Sequence, residues 1–442
     1  MKQIFFLSFF CIFSFQLFFA QSKVILDTDP SYDPDDVGCM AMLHNMATLG
    51  ECEILAMINS TNHQESSLCI SAINNFYNRK AIPVGDYKSY PEKIGAPEIT
   101  YDFHIANNYP RKLKNWEDSA DGVQLYREIL ASAADTSITI VIIGTMHNFY
   151  GLLNSSACDY SDQSGVALVG QKVKLVATMG GNFIDGRGYD RTNWGGADSL
   201  CAYTDWSCLK EERNRMCRYV IDHCPAPFMA SGWEVGCGDY HDANYGNVMT
   251  GQGLKKLDTT HIVRRSYEYH FSKRGSDADI SRHSNDQCAL HFALRGEGEN
   301  YQAYRNGKIS LSTSGECTWT PETEHHQGYI QKKRDPILIA AEIEALMMGD
   351  VPLKDSTPPA PPKNIKYKAQ GPTGILSWDA SNDPTPGSWV VGYNVYENGR
   401  LVKTAYGNKY VGPVSGQRSV KFELKAVNVS GLESEGVVFE PF

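Results

Sequence analysis

The chain reads as an α/β protein with a mainly parallel sheet flanked by helices, followed by a small all-β sandwich. Three observations carry this. From Ser22 to about Leu353, short β-branched runs alternate with helix-like stretches, the pattern of strand–helix units that feed a parallel sheet. The segment STPPAPPK, Ser356 to Lys363, then interrupts as a stiff proline-rich linker. Beyond it come short strands punctuated by turn residues, the rhythm of a sandwich. The implied division is a large domain over 22–353, a linker over 354–362 and a small domain over 363–442.

The elements follow in order. Val24-Ile25-Leu26 is a short apolar run that predicts a buried strand, and Val37 to Leu49 predicts a helix. Further strands are expected at Ile54–Ile58, Ile138–Ile143, Val173–Ala177 and Pro227–Ala230. Helices are expected at Ser67–Asn78 and Gly122–Ala134, and Asp335–Met348 reads as a closing amphipathic helix. In the small domain, Gly374–Trp378, Val390–Tyr396, Arg400–Thr404 and Val420–Asn428 read as strands, with Asn398-Gly399 as a hairpin turn.

At 442 residues the chain exceeds one ordinary core. A net charge of −10 argues against a nucleic-acid partner, which needs a basic face. Met1-Lys2-Gln3, then the apolar Ile4 to Phe19, then Phe19-Ala20 before Gln21 fit a cleaved secretory signal over residues 1–20. The expected location is therefore secreted or periplasmic, and no later stretch approaches a membrane span. Of 12 cysteines, Cys11 falls in the leader, which leaves eleven. Export permits disulfides, and Cys201, Cys208, Cys217, Cys224 and Cys237 crowd one region, so one or two bridges bracing an insertion are expected. No paired CxxC motif points to zinc.

Five carboxylates, Asp27, Asp29, Asp33, Asp35 and Asp36, fall within the segment VILDTDPSYDPDDVGCMAML. Like charges this close repel unless a cation, a proton or water neutralises them. A strand ending in an acidic loop that opens a helix suggests a hard-metal site at the carboxyl edge of the sheet. An EF-hand loop is excluded, because no register supplies its sixth-position glycine and twelfth-position glutamate. A phosphatase that attacks phosphorus through the first aspartate would need a downstream lysine and acidic pair, and no convincing set is present. A merely solvated acidic loop fits poorly with Pro30 and Pro34, which stiffen it.

The whole of Lys23 to Leu43 resembles the opening of the inosine–uridine nucleoside hydrolase family, whose signature is DTDxGxDD. Here Ser31-Tyr32-Asp33-Pro34 replaces a tighter turn and adds two residues before Asp35-Asp36. Further landmarks follow in order: EILAMINSTN ending at Asn62, IIGTMHN over 142–148 in place of GPLTN, KLVATMGG over 174–181, MASGWEVG over 229–236 and SNDQCA over 284–289. The resemblance spans about Lys23 to Met348. LSWDAS, VVGYNVYENGRLV and FELKAVNVSGLES resemble a fibronectin type III domain, with Trp378 as its core tryptophan and Phe422 where many relatives carry tyrosine. Such a domain is a spacer or adhesive module, expected to contact a surface polysaccharide or another protein.

The resemblance implies Ca2+-dependent hydrolysis of an N-glycosidic bond in a nucleoside or other riboside. It implies Asp29, Asp36, Asp286 and the peptide carbonyl of His147 as metal ligands, with Asp29 also taking a proton from the attacking water. Asp35 would bond a ribose hydroxyl and Asn62 would position water or sugar. Asn182, Trp233 and Glu234 are further substrate contacts, and Asp205 is the nearest counterpart of a Glu-x-Asn sugar clamp. Asp27 would support the site from behind, and Asp33 is either an extra ligand or a solvated turn residue. Two departures stand out. Asn285 replaces the family's histidine acid before the late aspartate and cannot donate a proton as an acid; His283 and His291 are near in sequence. The region 182–217 looks expanded and cysteine-rich. The alternative reading is a non-catalytic ribosyl- or carbohydrate-binding protein that keeps the metal cage. Base preference and homo-oligomerisation stay open.

Overall fold

In the computed structural model, the described residues are 21–89, 92–184, 187–190, 193–195, 210–238, 246–276, 279–350, 356–370, 373–385, 388–405, 407–413 and 420–440. The leader at 1–20, Cys201, Asp205 and Cys208 lie outside them.

The sheet grows from a central strand, β1 (Ser22–Thr28), whose parallel neighbours are β2 (Cys52–Asn59) and β5 (Ile138–Ile142). On one side, β3 (Val84–Asp86) and β4 (Ala120–Asp121) extend the parallel order beyond β2. On the other, β6 (Val173–Met179), β8 (Phe228–Ser231) and β13 (Gln327–Lys332) extend it beyond β5. An antiparallel ribbon finishes that edge: β11 (Tyr301–Leu311), β12 (Glu316–Pro321) and β7 (Arg187–Tyr189). Among the described residues this makes an 11-stranded sheet. The ribbon departs from the expected strand–helix alternation.

Side-chain alternation along β1 divides the core. Val24 and Leu26 join one apolar cluster and Ile25 the other, all fully buried. The first cluster takes residues from α1 (Asp35–Thr48), α2 (Gln64–Phe76), α9 (Ile262–Ser272), α10 (Asn285–Arg295) and α11 (Pro336–Met348). The second takes α4 (Gly122–Ser132), α5 (His147–Leu153), α6 (Gly165–Lys172) and α7 (Lys210–His223). Local signals set the ends: Asp121 caps α4 by accepting from Gln124 N at 3.0 Å. Asp335 caps α11 by accepting from Ile337 N at 2.9 Å, with Pro336 in the first turn and Gly349 at φ 78° beyond its end.

The small domain has two sheets. One contains β14 (Lys363–Gln370), β15 (Thr373–Asp379) and β18 (Lys409–Pro413). The other contains β16 (Val390–Glu397), β17 (Arg400–Ala405), β19 (Phe422–Asn428) and β20 (Val437–Phe439). Trp378 packs edge-on against Tyr393 at 5.1 Å within a shared core with Val395 and Leu424. Asn398 and Gly399 turn the β16–β17 hairpin with φ of 49° and 82°, the double left-handed step that this dipeptide favours. The sandwich meets α11: Thr404 Oγ1 lies 3.3 Å from Asp335 Oδ2, and a side chain at Gly392 would collide with Ile337 Cδ1. α11 is buried on more than one face rather than amphipathic: Ile339, Ala340, Ile343, Leu346 and Met347 enter the first core cluster, while Ile337 meets the sandwich.

The expectation of disulfides is corrected for the described cysteines. Cys217, Cys224 and Cys237 are free thiols, as are Cys39, Cys52, Cys69, Cys158, Cys288 and Cys317. Most are packed as small apolar side chains; Cys217 lies in the second core cluster.

Candidate active site

The order of strands places a crevice beside β1, where the chain moves outward to β2 on one side and to β5 on the other. Ligands in open parallel sheets bind at such a switch point, beyond the carboxyl ends of the strands. Asp29, Asn62, His147, Asn182 and Trp233 all lie just past the ends of β1, β2, β5, β6 and β8, so topology brings five sequence-predicted positions to one edge.

Asp27, the penultimate residue of β1, is fully buried and accepts from Tyr126 Oη at 3.1 Å and Asn148 Nδ2 at 3.3 Å. Burial raises its pKa to about 8 against the opposing effect of those bonds. Asp36 is fixed from the same strand end. Its Oδ1 accepts from Thr28 Oγ1 at 2.5 Å and from Asp29 N at 3.1 Å. The loop is shorter than expected, because α1 already begins at Asp35, so Asp35 and Asp36 occupy the first helical turn. There the helix dipole favours their charge. The β5–α5 turn closes over Asp29: a Cβ at Gly144 would stand 2.9 Å from Asp29 Cβ and Cγ and 2.5 Å from Ser60 Oγ. Glycine is needed for this approach.

Carboxylate oxygens of Asp33, Asp35 and Asp36 all lie within 4.8 Å of one another. Asp35 and Asp36 are each 2 % exposed, and Asp35 Oδ1 is buried without a hydrogen-bond partner. Burial and then the charge of Asp33 raise Asp29 to about 8. Burial and neighbouring carboxylates likewise push Asp35, Asp36 and Asp286 well above the carboxylate range. Asp33 moves the other way. Burial opposes its ionisation, yet its ion pair with Arg282 holds its pKa below the usual value. A hard cation accepts many oxygen ligands at about 2.3–2.6 Å, so two ligands of one Ca2+ stand up to about 5 Å apart. The donor set, its spread and the orphaned Asp35 oxygen fit such an ion.

The remaining residues divide. Asp286, in the first turn of α10 and 5 % exposed, joins the acidic group electrostatically across 250 residues of sequence, and Cys39 Sγ of α1 contacts its carbonyl oxygen at 3.6 Å. Asn62 Oδ1 is buried without a hydrogen-bond partner, and its carbonyl accepts from Ile94 N at 3.0 Å. His147 opens α5, with Nδ1 2.7 Å from Thr145 Oγ1, and burial lowers its pKa to about 3. Trp233 is half-buried, and its ring stands 6.4 Å from that of His283. Glu234 is fully buried under the turn after β6: Oε1 accepts from Phe183 N at 3.1 Å, Oε2 has no hydrogen-bond partner, and burial raises its pKa to about 7. Asn182 Oδ1 faces the backbone of Gly188 and Ile184.

Asn285 Nδ2 lies 3.3 Å from Cys237 Sγ, and a Cβ at Gly236 would meet Asn285 Oδ1. Its side chain thus packs against α8 (Trp233–Cys237). His291 lies away from the acidic group, 3.2 Å from Glu342 Oε1. His283 is half-buried, and burial lowers its pKa to about 4. Sequence reasoning missed Asn193, whose Nδ2 donates to Ile143 O at 2.6 Å and Met179 O at 3.3 Å and so ties together the ends of β5 and β6. It also missed Arg282 and Arg213, whose charges act on Asp33 and Asp29. No local motif marks an arginine as the partner of a carboxylate so far away in sequence.

No family model matches the sequence, and no curated protein matches it either. Solved structures do match. A plant nucleoside hydrolase aligns over 74% of this chain and 98% of its own, at 16% identity and a TM-score of 0.51. A purine-preferring ribonucleoside hydrolase from Gardnerella vaginalis aligns over 74% of this chain and 99% of its own, at 12% identity and a TM-score of 0.53. The large domain therefore has the nucleoside hydrolase fold, and its acidic cluster lies at the carboxyl edge of that fold's sheet.

Proposed function

We propose that this chain is a secreted, Ca2+-dependent hydrolase that cleaves the N-glycosidic bond of ribonucleosides or related ribosides to give ribose and a free base. The acidic cluster carries the reading: carboxylates of Asp33, Asp35 and Asp36 stand within 4.8 Å of one another at the carboxyl edge of the sheet, and the distant Asp286 acts on them electrostatically. In this reading Asp29, Asp36, Asp286 and the peptide carbonyl of His147 hold the ion. When bound, the ion supplies Lewis acidity and a hold on hydroxyl oxygens. Asp29 takes the proton of the attacking water, a role its raised pKa suits. Asp35 accepts a hydrogen bond from a ribose hydroxyl, and Asn62 orients water or sugar through its amide. Bond cleavage passes through an oxocarbenium-like state.

The departing base has no histidine beside Asp286 to protonate it, and Asn285 is packed against Cys237. Trp233 offers a stacking face in its place, so substrates with good leaving groups are favoured. The same observation supports a second reading, a ribosyl-binding protein without turnover. Incubation with a nucleoside panel and p-nitrophenyl riboside, with reducing sugar as the readout, separates the two. The hydrolase reading expects release by the wild type and a loss of at least about 100-fold in Asp29→Ala. Ca2+ binding with no release from any substrate overturns it in favour of the binder.

A further inference from the structure

The two residues that lengthen the acidic loop bring an additional carboxylate, and the structure gives it a partner. Tyr32 lies with its ring 4.7 Å beneath the Arg274 guanidinium and edge-on to His270 at 6.4 Å, which clasps the loop to α9. Asp33 is then ion-paired with Arg282 of β10 (Arg282–His283), both side chains about three-quarters buried. The same Asp33 carboxylate lies within 4.8 Å of those of Asp35 and Asp36, and Asp35 Oδ1 is buried with no hydrogen-bond partner. One carboxylate thus faces two cationic claims, one from a guanidinium fixed in the fold and one from the ion of the site.

We infer that Asp33 is a further ligand of the cation site and that Arg282 is its resident competitor, setting how tightly the ion is held. This rests on the cation-site reading above. Arginine is charged at every working pH, so an empty site keeps Asp33 neutralised. Ion binding must draw the carboxylate away from the guanidinium and bring a divalent charge near a fixed positive one. Both terms weaken the ion's hold. A mere anchor for the lengthened loop would act the other way, because its loss would disorder Asp33 and Asp35 and weaken binding.

Calorimetric titration of the full chain with Ca2+ tests this, with thermal melts to report folding. Arg282→Gln is expected to tighten binding at least about tenfold. Asp33→Asn alone is expected to weaken it at least about threefold, since it removes a ligand and leaves the Arg282 charge unpaired near the ion. Arg282→Gln in the Asp33→Asn background is expected to recover less than about a third of the gain. Arg282→Lys, which keeps the charge but loses the planar fork, is expected to tighten binding by about threefold and serves if the glutamine variant fails to fold. Unchanged or weaker binding in a folded Arg282 variant overturns the inference, as does an equal gain in both Asp33 backgrounds. A wild type that binds Ca2+ with unaltered variants overturns this inference alone; a wild type that binds none overturns the cation site as well.

Discussion

Asp27 is held by Tyr126 and Asn148, Asp36 by Thr28 and the Asp29 amide, and Asp33 by Arg282. Three of the five aspartates, equivalent by composition, therefore differ by partner, and Asp35 keeps one oxygen with none. Sequence showed that they stand together, because their spacing is local. Asp36's partners are local, but those of Asp27 lie 99 and 121 positions later and that of Asp33 249 positions later, and no periodicity encodes those distances. The place of Asn62 just after the second strand was legible. The sugar clamp was not, since the chain between the MGG turn and α7 departs from the expected spacing, and Asp205 lies outside the described residues.

Glu234 yields a pH prediction at this scale. Its pKa is about 7 in the fold against 4.5 ordinarily. Between those values the folded state keeps a proton that the unfolded chain has lost, so stability falls as pH rises through this window. The cost at pH 8 is on the order of 2–3 kcal/mol. Glu234→Gln removes it, so the variant should gain stability over wild type at pH 8 and little at pH 4, as read by denaturant melts.

Each strand that feeds the site was visible as a short apolar run, because burial on both faces leaves little room for polar residues. Element ends were less so. Asp121 and Asp335 cap α4 and α11 close to their expected starts, but α1 starts two residues before its apolar run, drawing Asp35 and Asp36 into the helix. The β5–α5 turn depends on one atom that is missing. Gly144→Ala would press a methyl into Asp29 and Ser60. Expected results are a stability loss of about 1–3 kcal/mol and Ca2+ affinity lower by about tenfold or more. Unchanged affinity in a calorimetric titration would show that the turn does not set Asp29.

Across the whole molecule, the alternation of strands and helices foretold the large, mainly parallel sheet, and the turn-rich stretch after the proline-rich segment foretold the small antiparallel sheets. The antiparallel ribbon of β11, β12 and β7 was not legible, since the β12–β7 pairing joins segments more than 100 residues apart and the half-exposed strands of the β11–β12 hairpin lack a continuous apolar run. The sandwich touches α11 through Gly392 and Thr404, whereas all the proposed ligands lie between Asp29 and Asp286. Deleting 356–442 should therefore lower the melting temperature by a few degrees through exposure of the α11 contact around Ile337. It should leave kcat/KM within about threefold. A larger loss of activity would mean that the sandwich shapes the site.

The proposed work of the acidic cluster is to hold Ca2+ against a ribosyl substrate. The most direct measurement follows ribose release from the best substrate through a cycle of chelation and Ca2+ return. Release should fall to background in chelator and recover when excess Ca2+ is restored. Release that continues unchanged after complete metal removal would contradict it.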